Sequence, residues 1–141
     1  IELLTDKTMP PLPAPPQKVQ VRREARVLVV EDNETNRFVT MSMLDVLGVQ
    51  ADAVPSSVEA LRKMAETEYD LILMDVMMPG MDGAEATQQI RATYGERPLI
   101  VAMTALPQAR ERCMEVGMDG FLLKPVRLNQ LAHTLEKYTA V

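Results

Sequence analysis

In the stretch LILMDVMMPGMDG, residues 71–83, a run of apolar side chains delivers a single carboxylate, Asp75, straight into a methionine-rich Pro-Gly turn. An acid in that position can serve as an oxygen nucleophile or as a ligand to a hard cation, provided other polar groups converge on it. Comparable groups close three further apolar runs: Glu31 and Asp32 at the end of RVLVVE, Thr104 at the end of PLIVAMT, and Lys124 at the end of GFLLK. Three carboxylates within about 5 Å would repel by roughly 3 kcal/mol per pair at an effective dielectric near 20. They cannot all stay ionised without a cation. All-oxygen ligation with room for water and phosphate suits Mg²⁺ rather than a thiolate-seeking metal. Lys124 adds one compact positive charge and Thr104 one hydroxyl, which together can hold the oxygens of a phosphoryl group attached to Asp75.

Taken singly, each residue has a plainer explanation. Paired acids after a strand can simply complement a helix N-terminus, and an aspartate before a turn can be a turn former. Thr104 can be an N-cap, and Lys124 ordinary surface. Their conjunction at four strand ends is what carries the functional reading.

The elements that would position these residues follow a regular pattern. Apolar, β-branched runs predict strands at 26–31, 70–75, 98–104 and 120–124, with a weaker one in VQADAV. Between and after them the spacing predicts helices over 33–48, from Ser56 or Ser57 to about Thr67, 83–94, about 108–116 and 127–138. In the first helix Phe38, Met41, Leu44 and Leu47 share a row, with Gly48 as a stop; in the second, Val58, Leu61 and Met64 or Ala65 form the inner face. Such alternation demands a parallel sheet with right-handed crossovers and helices on both faces, and its sites lie beyond the carboxyl ends of the strands.

The 141 residues suit one domain, and their 47% hydrophobic and 25% charged content is that of a globular protein. A net charge of −5 argues against binding a phosphate backbone, so no nucleic-acid partner is expected. No apolar run reaches bilayer length, no signal-peptide pattern is present and no membrane contact is expected. The lone Cys113 points to a reducing, cytoplasmic setting. MPPLPAPPQ, residues 9–17, holds five of the ten prolines, so residues 1–25 read as an interdomain linker and 26–141 as the domain.

Residues 26–139 resemble the receiver domain of two-component response regulators, on the strength of VLVVEDN, DLILMDVMMPGMDG, IVAMTA and GFLLKP in this order and spacing. The resemblance implies a flavodoxin-like (βα)₅ fold with strand order 2-1-3-4-5. It implies a phosphoacceptor role for Asp75 and Mg²⁺ held by Asp32, Asp75 and the backbone carbonyl of Met77, with Glu31 assisting through water. EDNETNR and the proline-rich tether resemble a receiver fused to a hybrid sensor histidine kinase; a stand-alone regulator is the alternative. The implied partner is a phosphohistidine-bearing domain, either the kinase dimerisation domain or a histidine phosphotransfer domain. The implied activity of this stretch is at most weak self-catalysed phosphotransfer and dephosphorylation, and the parent chain would be the kinase, on the cytoplasmic side if it is a membrane sensor. Phe121 stands where the family places an aromatic that turns inward on phosphorylation, so Thr104 and Phe121 form the expected switch. The Lys124–Pro125 bond is expected to be cis, since the strand must end and turn its lysine over the crevice. Phe38, Met78, Pro79 and Leu106 are the candidates for an apolar docking collar.

A haloacid-dehalogenase-like phosphatase also uses an aspartyl nucleophile and Mg²⁺, but carries a second acid two residues on, where this chain has Met77. A module that only binds partners would usually lack one of Asp32, Asp75, Thr104 or Lys124, and all are present. His133, the only histidine, reads as a helix residue rather than a phosphodonor, and Cys113 as inert packing. Arg110, Glu111, Arg112 and Glu115 read as a solvated face.

Overall fold

The computed structural model describes residues 25–76 and 82–139. In chain order the elements are β1 (Arg26–Val30), α1 (Glu34–Val46), β2 (Gln50–Val54), α2 (Ser57–Glu66), β3 (Leu71–Asp75), α3 (Gly83–Tyr94), β4 (Leu99–Thr104), a 3₁₀ turn (Pro107–Ala109) that runs into α4 (Arg110–Glu115), β5 (Gly120–Leu123) and α5 (Leu128–Thr139). All strand pairs are parallel, in the order β2-β1-β3-β4-β5. Among the described residues no helix is long and apolar enough to cross a membrane.

Alternation along the strands splits the core into two layers. Leu28, Val30, Ile72, Met74, Ile100 and Ala102 face one way, under α2, α3 and α4. Val27, Val29, Leu71, Leu73, Val101 and Met103 face the other, under α1 and α5. β3 is buried along its whole length because it lies at the centre of the sheet with helices over both faces.

Three of the helices begin on a side-chain cap. Asn33 and Ser56 cap α1 and α2 through their side chains. Asp82 caps α3 and completes a capping box with Glu85, which accounts for the second acid of the 71–83 stretch. The chain leaves α1 through Gly48, at φ 76°, a backbone conformation that glycine adopts without strain.

Several expectations from hydrophobicity are corrected. Phe38 is 72% exposed, and the buried row of α1 is Thr40 and Leu44, with Leu47 following. Val58 is exposed too; Ser57, Ala60 and Met64 form the inner face of α2. The fourth helix opens as a 3₁₀ turn at Pro107 and becomes α-helical only at Arg110. Ala25, assigned to the linker side of the boundary, is fully buried. Arg110, Glu111, Arg112 and Glu115 are exposed, and Cys113 is buried. Burial holds the Cys113 thiol above its ordinary range.

The amino edge of the sheet is tied by polar contacts. The Arg26 amide donates to Asp70 at 2.9 Å, and the Tyr69 hydroxyl donates to Asp52 at 2.6 Å. Burial and the Asp52 carboxylate push the Tyr69 phenol up to about 12.

Ser57, 1% exposed, has a hydroxyl without a hydrogen-bond partner. Leaving such a group buried costs about 1–3 kcal/mol. Ser57→Ala is therefore expected to raise the unfolding free energy by about 1 kcal/mol, seen as a higher urea midpoint with an unchanged slope.

Candidate functional site

The strand order reverses between β1 and β3, and the crevice of an open α/β sheet forms at that point. Glu31 and Asp32 follow β1 there, and Asp75 ends β3. Backbone pairing continues one residue past the strands and fixes the rim. The Glu31 amide donates to the Val54 carbonyl at 3.1 Å, that of Val76 to Met103 at 3.1 Å, and that of Lys124 to Thr104 at 2.8 Å.

Carboxylate oxygens of Glu31, Asp32 and Asp75 lie within 4.8 Å of one another. Asp32 is exposed, whereas Glu31 is 1% and Asp75 4% accessible. The Lys124 ammonium donates to Glu31 Oε1 at 2.7 Å and stands 3.5 Å from Asp75 Oδ1. Burial pushes the Glu31 carboxyl upward. Hydrogen bonds with Asp75, Lys124 and the Asn33 amide, joined by the Lys124 charge, outweigh it and leave Glu31 below the ordinary carboxylate range.

Thr104, also 1% exposed, accepts a hydrogen bond from the Leu106 amide at 3.1 Å through its hydroxyl. It caps neither the 3₁₀ turn nor α4. Phe121 is half-buried against the layer under α2, α3 and α4. The Lys124–Pro125 peptide is cis, and so is Arg97–Pro98. Met77, Met78 and Pro79 lie outside the described residues. Beside the carboxylates a cavity of about 290 Å³ opens between α1 and the turn at Pro125. Val39, Met43, Met103 and Val126 line it, with Glu31 and Lys124 on its wall. His133 is exposed on α5, in a different cavity.

Two contributors escape a reading of strand ends. Arg37, one turn into α1, donates from its guanidinium to the Glu31 carbonyl at 2.9 Å and holds the backbone that carries the acids. Gly83 packs its α-carbon onto the end of β3. A Cβ there would stand 2.7 Å from the Asp75 carbonyl oxygen and 2.9 Å from Met74 Cγ. The only sequence signal for it is a glycine placed where a helix N-terminus must approach a strand end.

The arrangement gathers three carboxylates and one lysine at the switch point of a doubly wound sheet, an all-oxygen donor set compatible with a hard cation. Residues 27–136 match the family model of the response regulator receiver domain. The chain belongs to this family. It is 40% identical over 125 residues to the sensor protein GacS of Pseudomonas syringae pv. syringae, covering 84% of this chain and 14% of that protein. It is 37% identical over 139 residues to the sensor histidine kinase RcsC of Escherichia coli K12, covering 98% and 15%. The chain thus spans about one seventh of the length of these curated relatives. Among solved structures, the receiver domain of sensor histidine kinase PA1611 from Pseudomonas aeruginosa PAO1, described with a magnesium ion coordinated in its active site cleft, superposes with a TM-score of 0.75. The two are 38% identical, over 82% of this chain and 97% of that one. A chain from the Saccharomyces cerevisiae co-crystal of the histidine phosphotransfer protein Ypd1 with the receiver domain of Ssk1 gives 0.75 at 28% identity, over 82% and 88%.

The close approach at Gly83 generates a test. Gly83→Ala is expected to cost about 1–3 kcal/mol of stability, because the neighbour it meets is backbone. The largest amide chemical-shift changes should fall on Asp75 and Val76.

Proposed function

We propose that Asp75 accepts a phosphoryl group from a phosphohistidine-bearing protein, within a two-component phosphorelay. The observation that carries this is a buried aspartate at a strand end whose Oδ1 lies 3.5 Å from a lysine, amid a cluster of oxygen ligands. In the transfer, an Asp75 carboxylate oxygen attacks the phosphorus and the new O–P bond forms as the P–N bond breaks. The electron pair stays on the imidazole nitrogen, which takes a proton from solvent. Lys124 and the Thr104 hydroxyl hold the phosphoryl oxygens.

The donor set fits Mg²⁺, since three carboxylates offer only hard oxygen ligands. Asp32, Asp75 and the Met77 carbonyl would hold the ion, with Glu31 reached through a water. Bound there, it would neutralise charge on the carboxylates and on the phosphoryl oxygens.

Once Asp75 is modified, Thr104 turns toward the new oxygens and gives up its bond from the Leu106 amide. Phe121 then moves further into the sheet and shifts the face made by α4, β5 and α5. The residues before Ala25 act as the interdomain linker and the parent chain is a hybrid sensor histidine kinase, with this domain in the cytoplasm. The resemblance to GacS and RcsC supports that context. The donor docks on an apolar collar for which Phe38, Met78, Pro79 and Leu106 are the candidates. The exposure of Phe38, 72%, and Leu106, 36%, supports this by leaving both side chains open to a partner.

Asp75→Asn, nearly isosteric, is expected to abolish labelling by a small phosphodonor with Mg²⁺, followed by intact mass. Labelling at the unaltered rate would refute the assignment. Phe38→Asp is expected to slow transfer from a phosphohistidine protein while sparing the small phosphodonor; equal loss in both assays would remove Phe38 from the docking surface.

A further inference from the structure

At the opposite pole from the carboxylates, the amino edge of the sheet carries a groove of about 380 Å³ between the C-terminal ends of α2 and α3. Met64, Glu68, Tyr69, Tyr94, Arg97 and Pro98 line it. Two of the chain's three tyrosines are thus gathered in one cleft that phosphoryl transfer does not use. Tyr94 is 42% exposed there, a large aromatic surface facing water.

The chain enters the domain beside this groove. The Arg26 amide is bonded to Asp70, which also lines the cleft, and the Arg26 guanidinium lies 5.9 Å from the centre of the Tyr69 ring. From there the chain leads back through KVQVRREA to MPPLPAPPQ, residues 9–17, with five prolines. Prolines pre-pay most of the ordering cost of an extended polyproline II segment, and aromatic-lined grooves are the surfaces that recognise such segments. Reach is ample. Seven residues separate Gln17 from Ala25, and the eight steps span about 25 Å when extended. The groove, one to two strands across the sheet from β1, is about 10 Å away. Charge agrees as well: Lys18, Arg22 and Arg23 outnumber Glu24 before β1, and Glu68 and Asp70 outnumber Arg97 in the groove lining.

We propose that this groove binds the chain's own proline-rich segment, residues 9–17, packed against the exposed ring of Tyr94. Attachment through so short a link places the segment at millimolar effective concentration, so weak contacts suffice to seat it. Seating it at the amino edge would orient the domain on what precedes it and leave the carboxylate edge facing outward. The inference is independent of which protein donates phosphate.

A nitroxide placed on the full chain through Ala14→Cys tests this, since Cys113 is buried and does not react in the folded protein. The Met64 methyl and Tyr94 ring resonances are expected to lose most of their intensity, while the Met103 methyl on the opposite face keeps its own. Replacing Pro10, Pro11, Pro13, Pro15 and Pro16 by serine preserves length and reach and cannot disturb the core. It is expected to restore the Met64 and Tyr94 signals, and Tyr94→Ala is expected to restore Met64. Broadening that survives the proline replacements, or that never occurs, overturns the proposal. Broadening of an unlabelled, isotope-enriched chain mixed with labelled chains would assign the groove to a second copy and overturn it as well.

Discussion

A carboxylate as enclosed as Glu31 costs several kcal/mol to bury unless a positive group and hydrogen-bond donors meet it. Lys124 meets it at 2.7 Å from 93 residues further along the chain, and the Asn33 amide closes on its other oxygen at 3.2 Å. The lysine belongs to the turn after an edge strand, two strands away from Asp75 and three from Glu31. Its side chain can arrive only when β1, β3, β4 and β5 are stacked in register. The sheet order and the carboxylate site are therefore one requirement. A sheet lacking β5 would leave a buried anion uncompensated, and a site lacking Glu31 would leave the lysine without its hydrogen-bonded partner.

Charge counting carries the consequence further. Were all three carboxylates ionised, one ammonium would leave two negative charges in a pocket where two of the acids are almost fully enclosed. A phosphoryl group brings more negative charge, and at these distances each unscreened pair opposes its approach by a few kcal/mol. A divalent cation among the same oxygens would cancel that excess. The donor atoms suit a small hard cation, and the placement of Lys124 follows from Glu31.

Strands and site acids were legible in the sequence because a central parallel strand is apolar on both faces, so a polar residue at its end stands out against the run. Asp75 after LILM and Thr104 after LIVAM are marked in this way. Helix faces were less legible. In α2 the buried row is Ser57, Ala60 and Met64, since small side chains let the helix approach the sheet, and the larger Val58 is left outside. In α1 the buried Thr40 carries no strong apolar signal, so Phe38 attracts the assignment through hydrophobicity alone. Arg37 and Gly83 were illegible for another reason. One acts through a long side chain that reaches back across the loop, the other through the absence of a side chain, and neither produces periodicity. The fourth helix is short because Pro107 can occupy only a first turn, which here is 3₁₀.

A parallel sheet has two unlike edges, and this domain assigns them different work. Four of the five strands deliver polar residues at or just past their ends to the carboxyl edge, where the acids, Thr104 and Lys124 gather. Helices run the other way and return the chain to the amino edge. There Tyr138, in the last turn of α5, donates to the Asp119 carbonyl at 2.9 Å. Arg91 of α3 donates to Gly117 and Pro98 carbonyls and pairs with Asp119 at 2.7 Å. The Asp119 carboxylate in turn accepts from the Ile100 amide at 2.9 Å, pinning the start of β4. The first described residue, Ala25, is buried at this same edge, beside Arg26 and its bond to Asp70. Polar ties thus fasten the amino edge where the chain enters and where α5 ends. Attachment and chemistry are separated by the length of a strand, so the domain can be held firmly at one pole without obstructing the other.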